Sequence, residues 1–396
     1  MSFIEWIEND NIHKYSISNK DEYYDAIFNL KRSFTGRFDV KHLNNFIAES
    51  AELLVNAIRL FENGYFDAAY YSLRTSLEVS VLVVYFSDFP ESDDIKDQKV
   101  MEWRKKGRFP TTNKLLSKLR ESGQLYKEIS VVMPEFFADF RENLSKLNKH
   151  VHKQGFDYFY VSRKFKSDEF ISNKIKEFEY HLTKTISQVG VFRLFIDPIP
   201  VLLVDEEIYY RLPNMLLNDA YSERFLMEYI GEELVNKYKN TSIYIDFYNY
   251  YSDFPKQPKC VSDIIQFQFV DITERDQILE YFHLINNNEH RLVVQLLFCV
   301  SKIVRVHSSV FYRYETERVR KNDFFSIDYE NYRLIKDCEI KSNIGIEDRF
   351  ITCLKSSSQN IEVYLEHYDK LDYEEITAIY KIFADDTQWT FEVEVE

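Results

Sequence analysis

The residues with most chemistry lie in one run, Arg141-Glu142-Asn143-Leu144-Ser145-Lys146-Leu147-Asn148-Lys149-His150-Val151-His152. On a helix, with 100° per residue, Arg141, Asn148 and His152 fall near one face, and Asn143 and His150 near another. An imidazole is the side chain best suited to take a proton near neutral pH. An amide beside it can orient the ring, while a cation steadies the charge that builds on a scissile phosphate. Together they suit attack by a ribose 2′-hydroxyl, with no metal and no other cofactor. His150 and His152 are the candidate bases, Asn148 the orienting group and Arg141 the phosphate ligand. Lys146, Lys149 and Lys153 are candidate RNA contacts. The competing reading makes both histidines polar residues of a helix C-terminus, where cations meet a favourable dipole.

Two further sets carry possible chemistry. Arg74 and Glu78 stand four apart on a mostly apolar stretch. Arg before Glu is the weaker order for a local pair, so a tertiary partner is expected, either a neighbouring helix or a site shared with His150 and His152. Asp328 is followed, after ten intervening residues, by Glu339-Ile340-Lys341. That order suits a PD-(D/E)xK-like nuclease, in which two carboxylates hold Mg²⁺ and the lysine orients the attacking water. His283 and His290 are seven apart, but Asn286-Asn287-Asn288 between them predicts a helix break. There is no H-E-x-x-H, no G-x-S-x-G and no G-x-x-x-x-G-K-[ST]. Zincin, α/β-hydrolase and P-loop chemistry are set aside accordingly.

These residues need a frame. Leu43, Phe46, Ile47, Leu53, Leu54, Ile58 and Phe61 recur at helical spacing over 40–63, and Gly64 stops the run. A second helix is predicted over 65–86, with Ala68, Ala69 and Ser72 permitting close approach. The short link makes the two an antiparallel hairpin. Helices are also expected over 93–106, 111–120, 125–152 (interrupted at Pro134) and 167–195, with a loop or short strand at 156–160. Asp197-Pro198-Ile199-Pro200 marks the expected domain boundary. Beyond it, 222–238 and 275–304 read as helices. Period-two alternation predicts strands at 243–247, 265–269 and 391–395, with weaker candidates at 311–314 and 361–364. The expected class is α+β: an irregular or short-helix lead-in over 1–39, an all-α bundle over 40–196, and an α+β domain with a mixed or antiparallel sheet over 197–396, a possible sensor or regulator.

Charge sharpens the division. The net charge is −15, yet residues 96–184 hold 20 Lys/Arg against 12 Asp/Glu, a net of +8 that leaves −23 elsewhere. A basic helical segment in an acidic chain suits a polyanion, or equally an acidic neighbour in the same protein. Cys260, Cys299, Cys338 and Cys353 include no C-x-x-C pair. With no signal peptide in evidence, reduced thiols and a cytoplasmic location are expected. The most apolar stretch, 79–86, is far short of the roughly 20 residues of a membrane helix, so no membrane partner is expected.

The hairpin carrying Tyr70, Arg74 and Glu78, with the later helix ending in Leu147-Asn148-Lys149-His150-Val151-His152, resembles the HEPN-type helical domains of prokaryotic toxin and phage-defence proteins. The resemblance covers about residues 40–195. It implies a helical bundle, homodimerisation, and metal-independent RNA cleavage by an Arg and a His four to six residues apart. Here Arg141 is separated from His150 by eight residues and from His152 by ten; Lys146 to His152 has five between, with Lys in place of Arg. The expected function is a bacterial cytoplasmic stress or phage-defence protein whose HEPN-like domain binds RNA and acts as an endoribonuclease. The alternatives are a non-enzymatic helical module for dimerisation or docking onto a partner protein, and a Mg²⁺-dependent nuclease in the C-terminal half.

Overall fold

A computed structural model describes residues 2–8, 15–88, 98, 100–102, 105, 111–159, 168–211, 219–285, 287–308, 312–321, 323, 325, 327–338, 341–355 and 362–385. Expectations for most of 93–110 and for the 391–395 alternation lie outside the described residues. The chain divides into two compact units, one built of residues 1–209 and 217–253, the other of 210–216 and 254–396.

In the first unit the lead-in is more ordered than its sequence suggests. After α1 (Phe3–Glu8), α2 (Lys20–Arg32) turns Ala26, Ile27 and Leu30 inward. The hairpin is α3 (Leu43–Glu62) and α4 (Phe66–Ser87). Gly64 closes α3 at φ 81°, with its N–H and that of Tyr65 donating to Phe61 and Leu60. Only glycine adopts that left-handed backbone without strain. Ser50, Ser76 and Ser80 join the two helices through buried hydrogen bonds, Ser76 Oγ donating to the Ser50 carbonyl at 2.9 Å. Then come α5 (Thr112–Ser122), α6 (Gln124–Val132), α7 (Pro134–Val151) and α8 (Asp168–Arg193). Pro134 does split the expected long helix, starting α7 where a missing N–H costs nothing. Asp88 at the end of α4 accepts hydrogen bonds from the N–H groups of Leu125 and Tyr126, so it caps α6. Gly123 makes room: a Cβ there would lie 2.5 Å from the Asp88 carboxylate.

The expected boundary at Asp197 is corrected. Asp197 is buried, accepts from Thr35 Oγ1 and pairs with the equally buried Arg193 at 3.2 Å. The unit continues through α9 (Glu232–Tyr238) and α10 (Ser242–Ser252). Tyr221 and Tyr238 anchor this extension, donating hydroxyl hydrogen bonds to the Gly190 and Leu194 carbonyls. The helix expected over 222–238 is interrupted by a π-turn and Gly231. Residues 243–247 are helical rather than extended. Their run also spaces Ile243, Phe247 and Tyr251 by four, and that period prevails.

The second unit carries a six-stranded mixed sheet in the order β1-β3-β2-β6-β5-β4. Its strands are β1 (Phe269–Val270), β2 (Ile303–Ser308), β3 (Tyr312–Thr316), β4 (Ile344–Ile346), β5 (Arg349–Lys355) and β6 (Glu362–His367). Only the β1–β3 pairing is parallel. The chain is therefore α+β, with the strand candidates near 311–314 and 361–364 realised as β3 and β6. Most of 265–269 instead ends α11 (Lys259–Phe267), leaving the two residues of β1. The helix expected over 275–304 breaks where the asparagines predict: Asn287 caps α12 (Asn288–Cys299) by accepting from the Glu289 N–H, and β2 takes the last residues. One sheet face packs Val306, Leu354 and Leu365 against α12 and against Ile379 and Phe383 of α14 (Tyr373–Asp385). The other carries a smaller cluster of Phe325, Ile344, Ile351 and Cys353 with Ile335 of α13 (Tyr329–Asp337). Among the described residues, no helix is long and apolar enough to cross a membrane.

Candidate functional site

The inward face of α7 is set by Phe136, Phe140, Asn143, Leu147 and His150, at helical spacing and all buried. His150 therefore points into the bundle. Two residues on, His152 lies about 200° around the axis and is exposed, its N–H closing the helix on the Asn148 carbonyl at 2.9 Å. The two histidines belong to different environments.

His150 stacks on the Tyr70 ring of α4 (3.7 Å between centroids, 4° between planes), and Tyr158 of the following turn meets it edge-on at 4.8 Å. Its Nε2 lies 3.4 Å from Glu177 Oε1 on α8. His181, one helical turn beyond Glu177, faces the same space, with ring centroids 5.8 Å from His150. Burial pushes up the Glu177 carboxyl, but hydrogen bonds from His150 and Lys174 outweigh it and hold the group at about 2. Burial, then the nearby His150, lowers the His181 imidazole to about 4, so it is neutral at physiological pH.

His152 meets a different partner. Its Nε2 lies 3.4 Å from Arg74 Nη1, across from α4. Arg74 Nη2 donates to Glu78 Oε1 at 2.8 Å, and Thr112 Oγ1 at the start of α5 donates to the same oxygen at 3.1 Å. A guanidinium only donates, so this contact puts the lone pair on Nε2 and the proton on Nδ1 of His152. Arg74 and Glu78 keep 20% and 29% of their side-chain surface exposed, enough for a solute to reach them. The tertiary partner expected for Arg74 is thus His152, and the Arg–Glu pair belongs with the histidine-bearing helix end.

The other expected groups separate. Arg141 is exposed, its charge acting on Tyr126, and stands roughly 16 Å along the helix from His152 by axial rise. It does not join His152, although their helical phases agree; axial distance separates them. Asn148 is half-buried and meets His152 through its main chain. Lys146 pairs with Glu142 and covers the Tyr180 ring, Lys149 is exposed, and Lys153 pairs with Asp67. Sequence reasoning missed Thr112, Glu177 and His181. Glu177 and His181 had a legible signal, an acid and a histidine at i, i+4.

No family model, curated protein or solved structure matches the chain. The geometry has to be read on its own.

In the second unit, the Asp328/Glu339/Lys341 set does not assemble among the described residues. Asp328 caps α13 by accepting from the Asn331 N–H at 2.8 Å. Lys341 Nζ donates to the carbonyls of Ile335, Lys336 and Cys338 at the other end of that helix, at 2.9, 3.0 and 2.6 Å. An ammonium has three donors, so all are engaged. Glu339 lies outside the described residues.

Proposed function

We propose that the Arg74–Glu78–His152 cluster is an RNA phosphodiester site and that the protein is a metal-independent endoribonuclease. The observation that carries this reading is the 3.4 Å approach of Arg74 Nη1 to His152 Nε2, at a half-open position, with the guanidinium held by Glu78. With Arg74 turned onto the substrate phosphate, the Nε2 lone pair of His152 is released to take the 2′-hydroxyl proton. The 2′-oxygen bonds to phosphorus, the bond to the 5′-oxygen breaks, and that oxygen takes a proton from water as it leaves. Arg74 balances the extra negative charge of the transition state. Glu78 and Thr112 position Arg74, and the exposed Lys149 contributes to strand attraction.

This reading keeps the bacterial, cytoplasmic, HEPN-like defence role and moves the cationic partner from the histidine's own helix to α4. Incubation of the full chain with end-labelled RNA, without added metal, should yield 2′,3′-cyclic phosphate and 5′-hydroxyl ends. Arg74→Ala and His152→Ala should each lower the rate at least about a hundredfold, the scale for removing one transition-state donor. Equal rates in wild type and both variants would sink the reading.

A dimerisation module is favoured by one separate observation. Phe156 and Phe159 stack at 6.1 Å on the turn after His152 and are 77% and 47% exposed. An exposed aromatic pair of this kind suits a second copy of the chain.

A further inference from the structure

Behind the Arg74–His152 pair, His150, Glu177 and His181 each offer a ligand atom, all within 4.8 Å of one another. We propose that these three side chains form a binding site for a divalent transition-metal ion, best suited to Zn²⁺, that clamps the end of α7 to α8. Two imidazoles and one carboxylate are a donor set zinc takes readily, leaving a fourth position for water. Ligand atoms about 2.0–2.1 Å from a tetrahedral ion lie roughly 3.3 Å apart. The 3.4 Å between His150 Nε2 and Glu177 Oε1 is close to that edge. Lys174 Nζ occupies the other Glu177 oxygen at 2.6 Å, which directs the carboxylate to bind through Oε1 alone.

The strongest support is a chain of hydrogen bonds behind His181. Asp139, paired with Lys184 at 2.8 Å, is a carboxylate and can only accept. It therefore fixes the Gln188 amide, whose Nε2 donates to Asp139 Oδ2 at 3.0 Å. Gln188 Oε1 is left to accept from Asn143 Nδ2 at 2.9 Å, so Asn143 Oδ1 is an acceptor too. His181 Nδ1 lies 2.7 Å from that oxygen and must be the N–H. The lone pair is thereby placed on Nε2. A ring whose tautomer is set through a carboxylate-ended relay is how proteins present histidine to a metal. Asn143, His181 and Gln188 are all buried, so the inner part of the relay is shielded from water. Ion binding would fix the last turn of α7, two residues before His152, whichever function that residue serves.

The test uses Zn²⁺ alone with the metal-stripped full chain, so it stands or falls independently of RNA cleavage. Calorimetry should give one Zn²⁺ per chain, and Co²⁺ should show tetrahedral ligand-field bands. Glu177→Gln and His181→Ala should each weaken binding more than about a hundredfold, beyond what changes behind the ligands cause. Because His181 is buried, the deciding variant is Glu177→Gln, at a part-exposed position and checked for folding by circular dichroism. Less than one equivalent bound by wild type, or wild-type affinity in a folded Glu177→Gln, would overturn the site.

Discussion

The two units use the same residue types to opposite ends. In the sheet unit, Arg305 and Arg349 both donate to Glu366 Oε1, at 2.8 and 2.7 Å, and both reach Asp323 Oδ2 at 3.1 Å. His307 approaches the other Glu366 oxygen at 3.3 Å, and Glu315 and Asp348 each accept from one further guanidinium nitrogen. Arg305 and Glu366 are fully buried. In the helical unit, one arginine, one glutamate and one histidine meet with both charged side chains still part-exposed. An arginine enclosed by several carboxylates has its charge consumed inside the fold. One shared between a single carboxylate and an imidazole keeps capacity for an incoming anion. Solvent access and the number of carboxylates, more than residue identity, separate a strut from a site.

The largest effect should come from breaking the strut. Glu366→Ala leaves two buried guanidinium groups short of their acceptor and should destabilise the protein by about 3–5 kcal/mol. Chemical denaturation checks this, and a loss under 1 kcal/mol would show that the network is dispensable. The proposed RNA cleavage by the folded fraction should be unchanged.

A smaller, pH-dependent effect belongs to Asp323. Burial alone would raise its carboxyl, but hydrogen bonds from Arg349 and Tyr368 and the charges of Arg349 and Arg305 hold it at about 2, against an ordinary 3.8. A depressed carboxyl contributes stability that is full above its unfolded value and is lost as pH falls through the folded one. Stability measured between pH 4 and 2 should therefore fall more steeply in wild type than in Asp323→Asn. Parallel curves would separate Asp323 from the acid response.

The smallest stability effect is expected at the site. Arg74 and Glu78 form a part-exposed i, i+4 pair, so Glu78→Gln should cost less than about 1 kcal/mol. The proposed RNA cleavage should nevertheless slow, because Arg74 loses its anchor. Loss of stability comparable to that of Glu366→Ala would make the pair a strut as well and remove the contrast between the units.

Much of the helical frame was legible because its signals are local. Apolar spacing located α3 and α4, Gly64 and Pro134 marked breaks, and the asparagine run broke the helix ahead of α12. Alternation was less secure. In 243–247 aromatic and β-branched residues satisfy both periods, and packing of Tyr244 into the helical unit selected the helix. Asp197-Pro198-Ile199-Pro200 has the composition of a linker, but nothing local could announce that Asp197 would be enclosed with Arg193.

By itself the sequence determined that α7 ends at the Asn148–His152 run, and that Asn143 and His150 share one face while His152 takes another. Helical phase fixes such relations within a single element. Only the tertiary structure decided what each face meets: His150 goes to Tyr70, Glu177 and His181, and His152 goes to Arg74. Arg141 shares the phase of His152 but not its height along the axis, whereas Arg74, remote in sequence, is brought beside it by packing α4 against α7. Contacts between helices depend on which apolar stripes bury each other, and that choice belongs to the whole chain.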